Sequence, residues 1–462
     1  INERVYYLMA GLQYAGEYEL KELLIHTSSG NVLNLTKATQ TIDIYEDIFR
    51  TALSGSLTIL DVDDIVTNGP IIGQEYLTIK FKTPSLSEEE LSLFFAINKV
   101  TVREKLNQET QLIALSFVSP EILRDKRVRV SKSFTNTIDQ IVESIIKDPR
   151  YTNSNKDLYI EPTAGIRKVV CPNMHPYDFI KNLMMEAITV KDNSPYFFFF
   201  ENLKGIQFKS LNRILSEDSI GSFFVGDVKS LENKSVDHQS DFSRALEFQV
   251  NSNNDMLLNT LGGMLGSSTI KYSIYNKSYE RLRYNYFVDF EKFPRMDENP
   301  LYNDNEIDAF SNNVGSFGDA KIYLHPTTGS GDFDTSHTNP TSSYSYAPNK
   351  VNDSILFRRA KLMELNSAVN ITMKINGNTT IAAGQTIDLT VPVAGRTHEA
   401  KNDEYYSGRY LVTTLRHSFY QPDKKHEIIL TASKDSLPKE FPKNSKAVEP
   451  LGSEGVVYNT TY

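Results

Sequence analysis

The residues of this 462-residue chain best suited to metal binding or nucleophilic catalysis are eight histidines and one cysteine. None of the histidines forms the His-Glu-x-x-His spacing of a helical zinc site. Cys171 stands between Val170 and Pro172, which favours a small buried hydrophobe over a reactive thiol. A single cysteine also excludes an intrachain disulfide. The pattern predicts neither a zinc site nor a cysteine nucleophile.

His417 and His426 flank a turn-forming segment, Gln421-Pro-Asp-Lys-Lys425. A hairpin at this point would let the two imidazoles face each other and hold a metal ion. The simpler interpretation is that both are polar positions near the end of a hairpin, and we adopt it. We therefore predict no metal ligands here.

The acidic clusters also lack a recognisable chemistry. Asp61-Val-Asp-Asp64 resembles the start of a calcium loop, but that loop needs Gly at its sixth position and Glu at its twelfth, where Val66 and Ile72 stand. A turn after a strand is the expected structure. Glycoside cleavage needs a raised-pKa acid beside an ionised partner, whereas Glu46-Asp47 and Glu88-Glu-Glu90 are interpreted as solvated. From these patterns we predict that the chain has no catalytic or metal-ligating residue, no cofactor and no enzyme activity.

The charge balance limits the classes of partner. With a net charge of −9 the chain lacks a broad basic field, so specific binding of nucleic acid through phosphates is not expected. The local basic segment Arg124-Asp-Lys-Arg-Val-Arg129 is interpreted as a solvated strand face, and Arg358-Arg359 as an exposed helix face. The apolar run Tyr196–Phe200 is far shorter than the ~20 residues that span a bilayer. It predicts a fully buried strand and no membrane-spanning segment.

Periodicity indicates which elements surround these residues. Ser56–Leu60 and Tyr76–Phe81 alternate apolar and polar side chains, among several short strands that indicate a barrel or sandwich. Apolar residues at helical spacing from Ile138 to Ile146 predict a helix, with Thr137 and Gln140 at the spacing of a capping box. A second β-pattern occupies residues 384–435.

We therefore predict an α+β, β-rich chain in which two β-barrel domains flank, and interleave with, an α+β middle domain. The predicted boundaries are 1–124 for the first barrel, 125–235 for the middle domain, 236–352 for strands with a long polar insertion at 304–348, 353–440 for the second barrel, and 441–462 for a C-terminal tail.

The order of several motifs resembles the baseplate hub protein of contractile-tailed bacteriophages, the ring-forming subunit that carries the central spike. The matching segments are Ile42–Ile48 with Leu53–Asp61, Gly73–Leu77, Pro176–Leu183 with the Tyr196–Phe200 strand, Gly384–Leu389, and Ser407–Phe419.

The resemblance implies a structural virion protein with two tube-type β-barrel domains. Three chains would form a homotrimeric ring whose pseudo-sixfold face adapts a six-fold tail tube to a three-fold central spike. Implied partners are the trimeric spike protein, tail tube or tube-initiator proteins, the tape-measure protein and neighbouring baseplate proteins. DNA would pass through the lumen without specific binding, and we predict a lumen of mostly acidic and neutral side chains. The expected location is the phage tail baseplate, assembled in the cytoplasm of the bacterial host.

Two alternatives stay open. One is the hub, or the N-terminal part of the spike, of a tailocin or a type VI secretion-like injection device. The other is a carbohydrate-binding or carbohydrate-acting β-protein, suggested by 25 Tyr and 25 Phe residues. The latter predicts a concave aromatic site with paired carboxylates.

Overall fold

The structure is a computed structural model. It describes residues 15–62, 71–83, 90–191, 194–226, 242–251, 255–273, 277–292, 294–302, 320–327, 355–367, 369–393 and 402–440.

Seven strands near the N-terminus curl round one apolar core, and we call them the first β-module. Alternation decides which side chains enter that core: Leu57, Ile59, Leu77 and Ile79 point inward and are buried, as their spacing predicts. The strands are β1 (Glu19–His26), β2 (Val32–Asn34), β3 (Thr39–Asp47), β4 (Ser54–Asp61), β5 (Tyr76–Lys82), β6 (Leu91–Lys105) and β7 (Gln111–Val118).

The middle module combines four helices with short strands. The helix predicted from the apolar spacing begins at Ile138, although the Thr137 side chain makes no capping hydrogen bond. Pro176 opens the next long helix, where its missing N–H costs nothing. The elements are α1 (Pro120–Arg127), β8 (Val130–Asn136), α2 (Ile138–Lys147), β9 (Leu158–Ile160), β10 (Arg167–Met174), α3 (Pro176–Glu186), β11 (Phe197–Asn202), β12 (Gly205–Ser210) and α4 (Leu211–Ser216).

Strand β11 is buried on both faces, which confirms the prediction for the aromatic run. Phe197 and Phe199 pack into the core of the middle module, with the apolar faces of α2 and α3. Phe198 and Phe200 point the other way, into a second cluster with Ile48. Because successive side chains of a strand face opposite sides, one strand of phenylalanines fastens the middle module to its neighbours.

The C-terminal half contains a closed barrel. In the described residues β21 pairs with β20 and β22, and the ring continues through β13, β14 and β19. The elements of this half are β13 (Ser222–Val225), β14 (Arg244–Val250), α5 (Met256–Gly262), β15 (Gly266–Ser273), β16 (Ser278–Asn285), α6 (Tyr286–Asp289), a 3-10 helix (Phe290–Lys292), β17 (Asn299–Pro300), β18 (Ile322–Thr327), α7 (Ile355–Ser367), β19 (Val369–Asn376), β20 (Thr386–Thr390), β21 (Gly408–Tyr420), β22 (Lys425–Lys434) and β23 (Ser436–Leu437).

The closed barrel is not confined to residues 353–440. Strands β13 and β14 come from earlier in the chain and fill the gap between β20 and β19. Their partners are distant in sequence, so local patterns did not assign them to this barrel. The domain boundaries themselves remain a prediction.

Part of the predicted polar insertion belongs to a small sheet beside the closed barrel. Residues 322–327 form β18, which pairs in parallel with β15 of the β15–β16 hairpin. Helix α7 packs against this sheet, with Phe357 against the ring of Tyr284. The rest of the insertion at 304–348 and the predicted tail at 441–462 lie outside the described residues.

The first β-module and the closed barrel share one sheet. Strand β3 pairs with β21 in antiparallel register from Thr41↔Tyr420 to Asp47↔Thr414, a contact that we call the seam. Thirteen strands of the described part of the chain thereby form a single sheet. This architecture agrees with the predicted β-rich α+β fold. No helix in the described ranges has the length and apolar character needed to cross a bilayer.

Candidate functional site: the junction between the β-modules

The end of the β21–β22 hairpin leaves the closed barrel and enters the first β-module. Phe419 belongs to the core of that module, with its ring centroid 4.7 Å from that of Phe81 and 5.0 Å from that of Tyr18. The chain entering β1 adds a bridge between Glu17 and Lys425. Each module therefore contributes to the core or the sheet of the other.

Glu46 joins three parts of the molecule at this junction. It lies on β3 and only 1% of its surface is exposed. Its Oε1 accepts a hydrogen bond from the Leu203 backbone N–H of the middle module at 3.0 Å. Its Oε2 accepts one from the Ala383 N–H of the closed barrel at 2.6 Å. A carboxylate with two backbone donors is a satisfied buried charge, which is the condition for keeping one in a core.

His417 and His426 lie beside Glu46 and contact each other. His417 Nδ1 is 3.1 Å from His426 Nε2, and both side chains are completely buried. His417 Nε2 is 3.5 Å from Glu46 Oε1. The ring of Phe419 stacks on that of His426 with centroids 4.1 Å apart. The two histidines lie near a hairpin end, as interpreted from the sequence, but this end is inserted in a core, so both side chains are buried.

Burial controls the protonation of this group. Desolvation lowers the pKa of His426 well below its ordinary value, and the neighbouring His417 lowers it further. Burial also lowers the pKa of Lys204, which faces Glu46 from the turn after β11. His426 is therefore a neutral, structural side chain at neutral pH. No group of three or more His, Cys, Asp or Glu suited to a metal ion occurs within the described ranges.

The outer face of the seam carries a second set of polar contacts. Arg416 on β21 makes a bidentate pair with Asp43 on β3, both bonds being 3.0 Å. Ser418 donates to the same carboxylate at 2.6 Å. Tyr45 lies beneath the Arg416 guanidinium, 5.8 Å from the ring centroid. These bonds support the register of β3 on β21. Arg416 and Tyr45 also line a shallow groove of about 510 Å³ that crosses the seam.

A further buried ionic group holds the other end of the closed barrel. Lys361 on α7 contacts Asp435 at 2.5 Å and Glu364 at 2.9 Å. Tyr286 donates to Glu364 at 3.1 Å, while Asp435 accepts from the Met296 N–H at 3.0 Å. The Lys361 ammonium group therefore contacts both carboxyl groups, that of Asp435 and that of Glu364. Burial, and then the charge of Asp435, raise the pKa of Glu364 to about 7.

Other sequence-predicted positions have structural roles. Cys171 is buried, as predicted. Asp61 ends β4 and accepts a hydrogen bond from the Gln111 side chain at 3.1 Å, while Asp63, Asp64 and Glu88–Glu89 lie outside the described residues. Glu90 is exposed.

Two basic segments agree with their predictions only in part. The basic side chains of residues 124–129 are exposed, as predicted for a solvated face. Residues 124–127 are helical rather than part of a strand, and Arg124 and Arg129 donate to backbone carbonyl groups. Arg358 is buried rather than on an exposed helix face, whereas its neighbour Arg359 is exposed and lies over Tyr323. Arg124, Arg129 and Arg359 therefore make local structural contacts.

Sequence reasoning missed Glu46, which it interpreted as solvated. The signal was available in the alternation: Ile42, Ile44, Glu46 and Ile48 follow one another at every second position and all are buried. The alternation places Glu46 in the core although its residue type predicts the surface.

Comparisons with solved structures fit this architecture. The tail protein from Neisseria meningitidis MC58 superposes with a TM-score of 0.51 at 8% identity, over 91% of this chain and 97% of its own. The 43 kDa tail protein of prophage MuSo2 from Shewanella oneidensis superposes with a TM-score of 0.51 at 9% identity, over 89% of this chain and 98% of its own. The chain has the fold of these two tail proteins.

The likeness covers nearly the whole of both tail proteins, so it includes the two β-modules and the middle module together. It agrees with the fold implied by the hub-protein motifs of the sequence. No protein-family model and no curated protein sequence matches the chain.

Proposed function

We propose that the chain is a non-enzymatic structural subunit of a phage tail baseplate. In this proposal three copies form a hub ring with a pseudo-sixfold face that joins the six-fold tail tube to a three-fold central spike. Its partners are the spike, tube or tube-initiator proteins, the tape-measure protein and neighbouring baseplate proteins. The ring is a virion component assembled in the bacterial cytoplasm.

The observation that carries this proposal is the pair of β-modules fused through the seam. Two β-modules per chain give six in a trimer, which is the number that a six-fold tube requires. The fusion of β3 and β21 into one sheet, with Phe419 and Glu46 behind it, holds the two modules in a fixed relation. The tail-protein fold supports the same conclusion.

The outer face of the seam is the surface that we assign to the channel. It presents mainly hydroxyl groups, and the charge of Asp43 is paired with that of Arg416. Such a face offers little to DNA phosphates, because binding needs unpaired cations. The outward face of β3, β4, β21 and β22 at the seam includes Thr41, Asp43, Tyr45, Asp47, Ser54, Ser56, Thr58, Thr414, Arg416, Ile429 and Thr431, with Ser418 buried beneath Asp43. It also includes Lys425 and Glu427, which pair with each other at 2.5 Å.

Light scattering coupled to size exclusion tests the ring. We expect a particle of three times the 52.4 kDa chain mass, and negative-stain images of a six-lobed ring with a central hole. A stable monomer at micromolar concentration would contradict the hub. A trimer without a central hole would support the proposed oligomeric state but contradict the proposed channel.

The injection-device alternative shares this geometry and differs in its partners. Co-expression with a separate trimeric spike chain distinguishes the two, since a phage hub captures it whereas a secretion-type hub recognises its own spike domain. The carbohydrate alternative predicts glycan binding by a monomer. A glycan array read beside the light-scattering mass separates it from both.

A further inference from the structure

The contacts between His417, His426 and Glu46 favour one arrangement of protons on the two imidazole rings. The ring–ring hydrogen bond holds one proton between His417 Nδ1 and His426 Nε2. His417 Nε2 makes no hydrogen bond within the described part of the chain, but it lies 3.5 Å from the Glu46 carboxylate, and this negative charge favours the other proton on that nitrogen. His426 Nε2 is then the donor in the ring–ring bond, and His426 Nδ1 is bare.

Adding a third proton to the His417–His426 pair has a free-energy cost. As long as the ring–ring bond persists, the extra proton must lie on His426 Nδ1. No described residue offers that atom an acceptor. The backbone of Gly377 packs against it so closely that a Cβ at Gly377 would lie 2.2 Å from Nδ1. A buried N–H without a partner, in a desolvated pair of rings that has gained a charge, is unfavourable.

Relief of this penalty requires the hairpin end to move. His426 is stacked on Phe419, so hydration of its ring means withdrawal of Phe419 from the core of the first β-module. The groups facing the pair are Glu46 from β3 and Tyr18 from the chain entering β1, with Lys204 beyond Glu46. Glu46 is already engaged by two backbone N–H groups, so it cannot turn toward His426 without leaving them.

We propose that His417, His426 and Glu46 form an acid-sensitive latch that holds the β21–β22 hairpin end in the first β-module and releases it on acidification. The latch lies between the two β-modules, so its release loosens their fixed relation. The neutral His426 ring contributes fully to the stability of the closed state above pH 6.5, the ordinary pKa of histidine. This contribution decreases as the pH falls below that value. The inference does not depend on the proposed role in a baseplate.

Hydrogen exchange of the full chain at about pH 5 and about pH 7.5, compared as protection factors, tests the latch. We expect protection of residues 41–47 and 414–420 to fall by up to about tenfold for each pH unit below the ordinary histidine pKa, since one proton is taken up on opening. The His426→Gln variant should lose this acid response, because its amide N–H reaches His417 Nδ1 without titrating.

His26→Gln is the matched control. His26 lies on β1 of the same module, 3.0 Å from the Thr78 hydroxyl and partly exposed, so its removal should leave the acid response unchanged. Equal protection of the seam at both pH values, or an acid response kept in His426→Gln, would overturn the latch. If that variant does not fold, histidine-selective NMR of the wild type provides the test. Titration of His426 near pH 6.5 would overturn the proposal, whereas a His426 ring that stays neutral well below pH 6.5 would support the latch.

Discussion

Glu46 on the first β-module accepts hydrogen bonds from backbone N–H groups of the middle module and of the closed barrel. Its removal should therefore destabilise all three parts of the molecule. Glu46→Ala leaves the N–H groups of Leu203 and Ala383 buried without acceptors. We expect a loss of about 3–5 kcal/mol in the free energy of unfolding, measured by urea denaturation at neutral pH. Glu22→Ala is the control, because loss of its exposed pair with Lys80 should change the free energy of unfolding much less. Equal losses would show that Glu46 is not a central contact.

Glu364 should give a pH dependence opposite in sign to that of His426. Its pKa is raised from 4.5 to about 7 in the folded protein, so the folded state holds this proton more tightly than the unfolded chain. Stability from Glu364 is therefore present below pH 4.5 and lost as the pH rises to about 7. We expect the stability difference between wild type and Glu364→Gln to shift by about 3 kcal/mol across this window, in urea titrations at several pH values. Glu247→Gln, at an exposed carboxylate, should give a flat difference.

At the scale of elements, alternation gave correct predictions where the contacts are local. The inward residues of β4 and β5, the helix at 138–147 and the buried strand β11 all follow from spacing. Two things escaped prediction because their partners are far away in sequence. One is the recruitment of β13 and β14 to the closed barrel, and the other is the insertion of the β21–β22 hairpin end into another core. Residue type also favours exposed positions for Glu46, His417 and His426, whereas all three are buried. The surface preference of polar residues is overridden where buried hydrogen-bond partners exist.

Strand β11 and the turn before β20 meet at one tight contact. Gly384 has φ +83° and a Cβ there would lie 2.5 Å from the Phe200 ring, whereas Gly30 has φ +86° with open space around it. Gly30→Ala should cost about 1–2 kcal/mol from backbone strain alone. Gly384→Ala should cost more, by about 1–3 kcal/mol, because the methyl group also displaces the ring. Thermal unfolding of both variants, and of Gly384→Ala with Phe200→Leu, measures the difference. The double variant should recover part of the loss; if it does not, the steric account is wrong.

At the scale of the molecule, the first β-module and the closed barrel should unfold together. Phe419 belongs to one module by chain connection and to the other by packing. Phe419→Ala should therefore lower hydrogen-exchange protection in β1 and β5 as well as in β21 and β22, with an overall loss of about 3–5 kcal/mol. Phe94→Ala, at a half-exposed ring on β6 that stacks on Tyr76 of β5, is the control: it should affect β5 and β6 but leave β21 and β22 unchanged. Two separate unfolding transitions in the wild type would contradict this coupling.

The seam also determines when the chain can finish folding. Asp43 and Arg416, which pair across it, are 373 positions apart in the sequence. At synthesis rates of about 5–20 residues per second, β3 leaves the ribosome roughly 20–75 seconds before its partner strand exists. During that interval the nascent first β-module has an open sheet edge and lacks the phenylalanine that completes its core. We expect the growing chain to need protection from aggregation until its last strands emerge, and ribosome profiling of bound chaperones would locate that period.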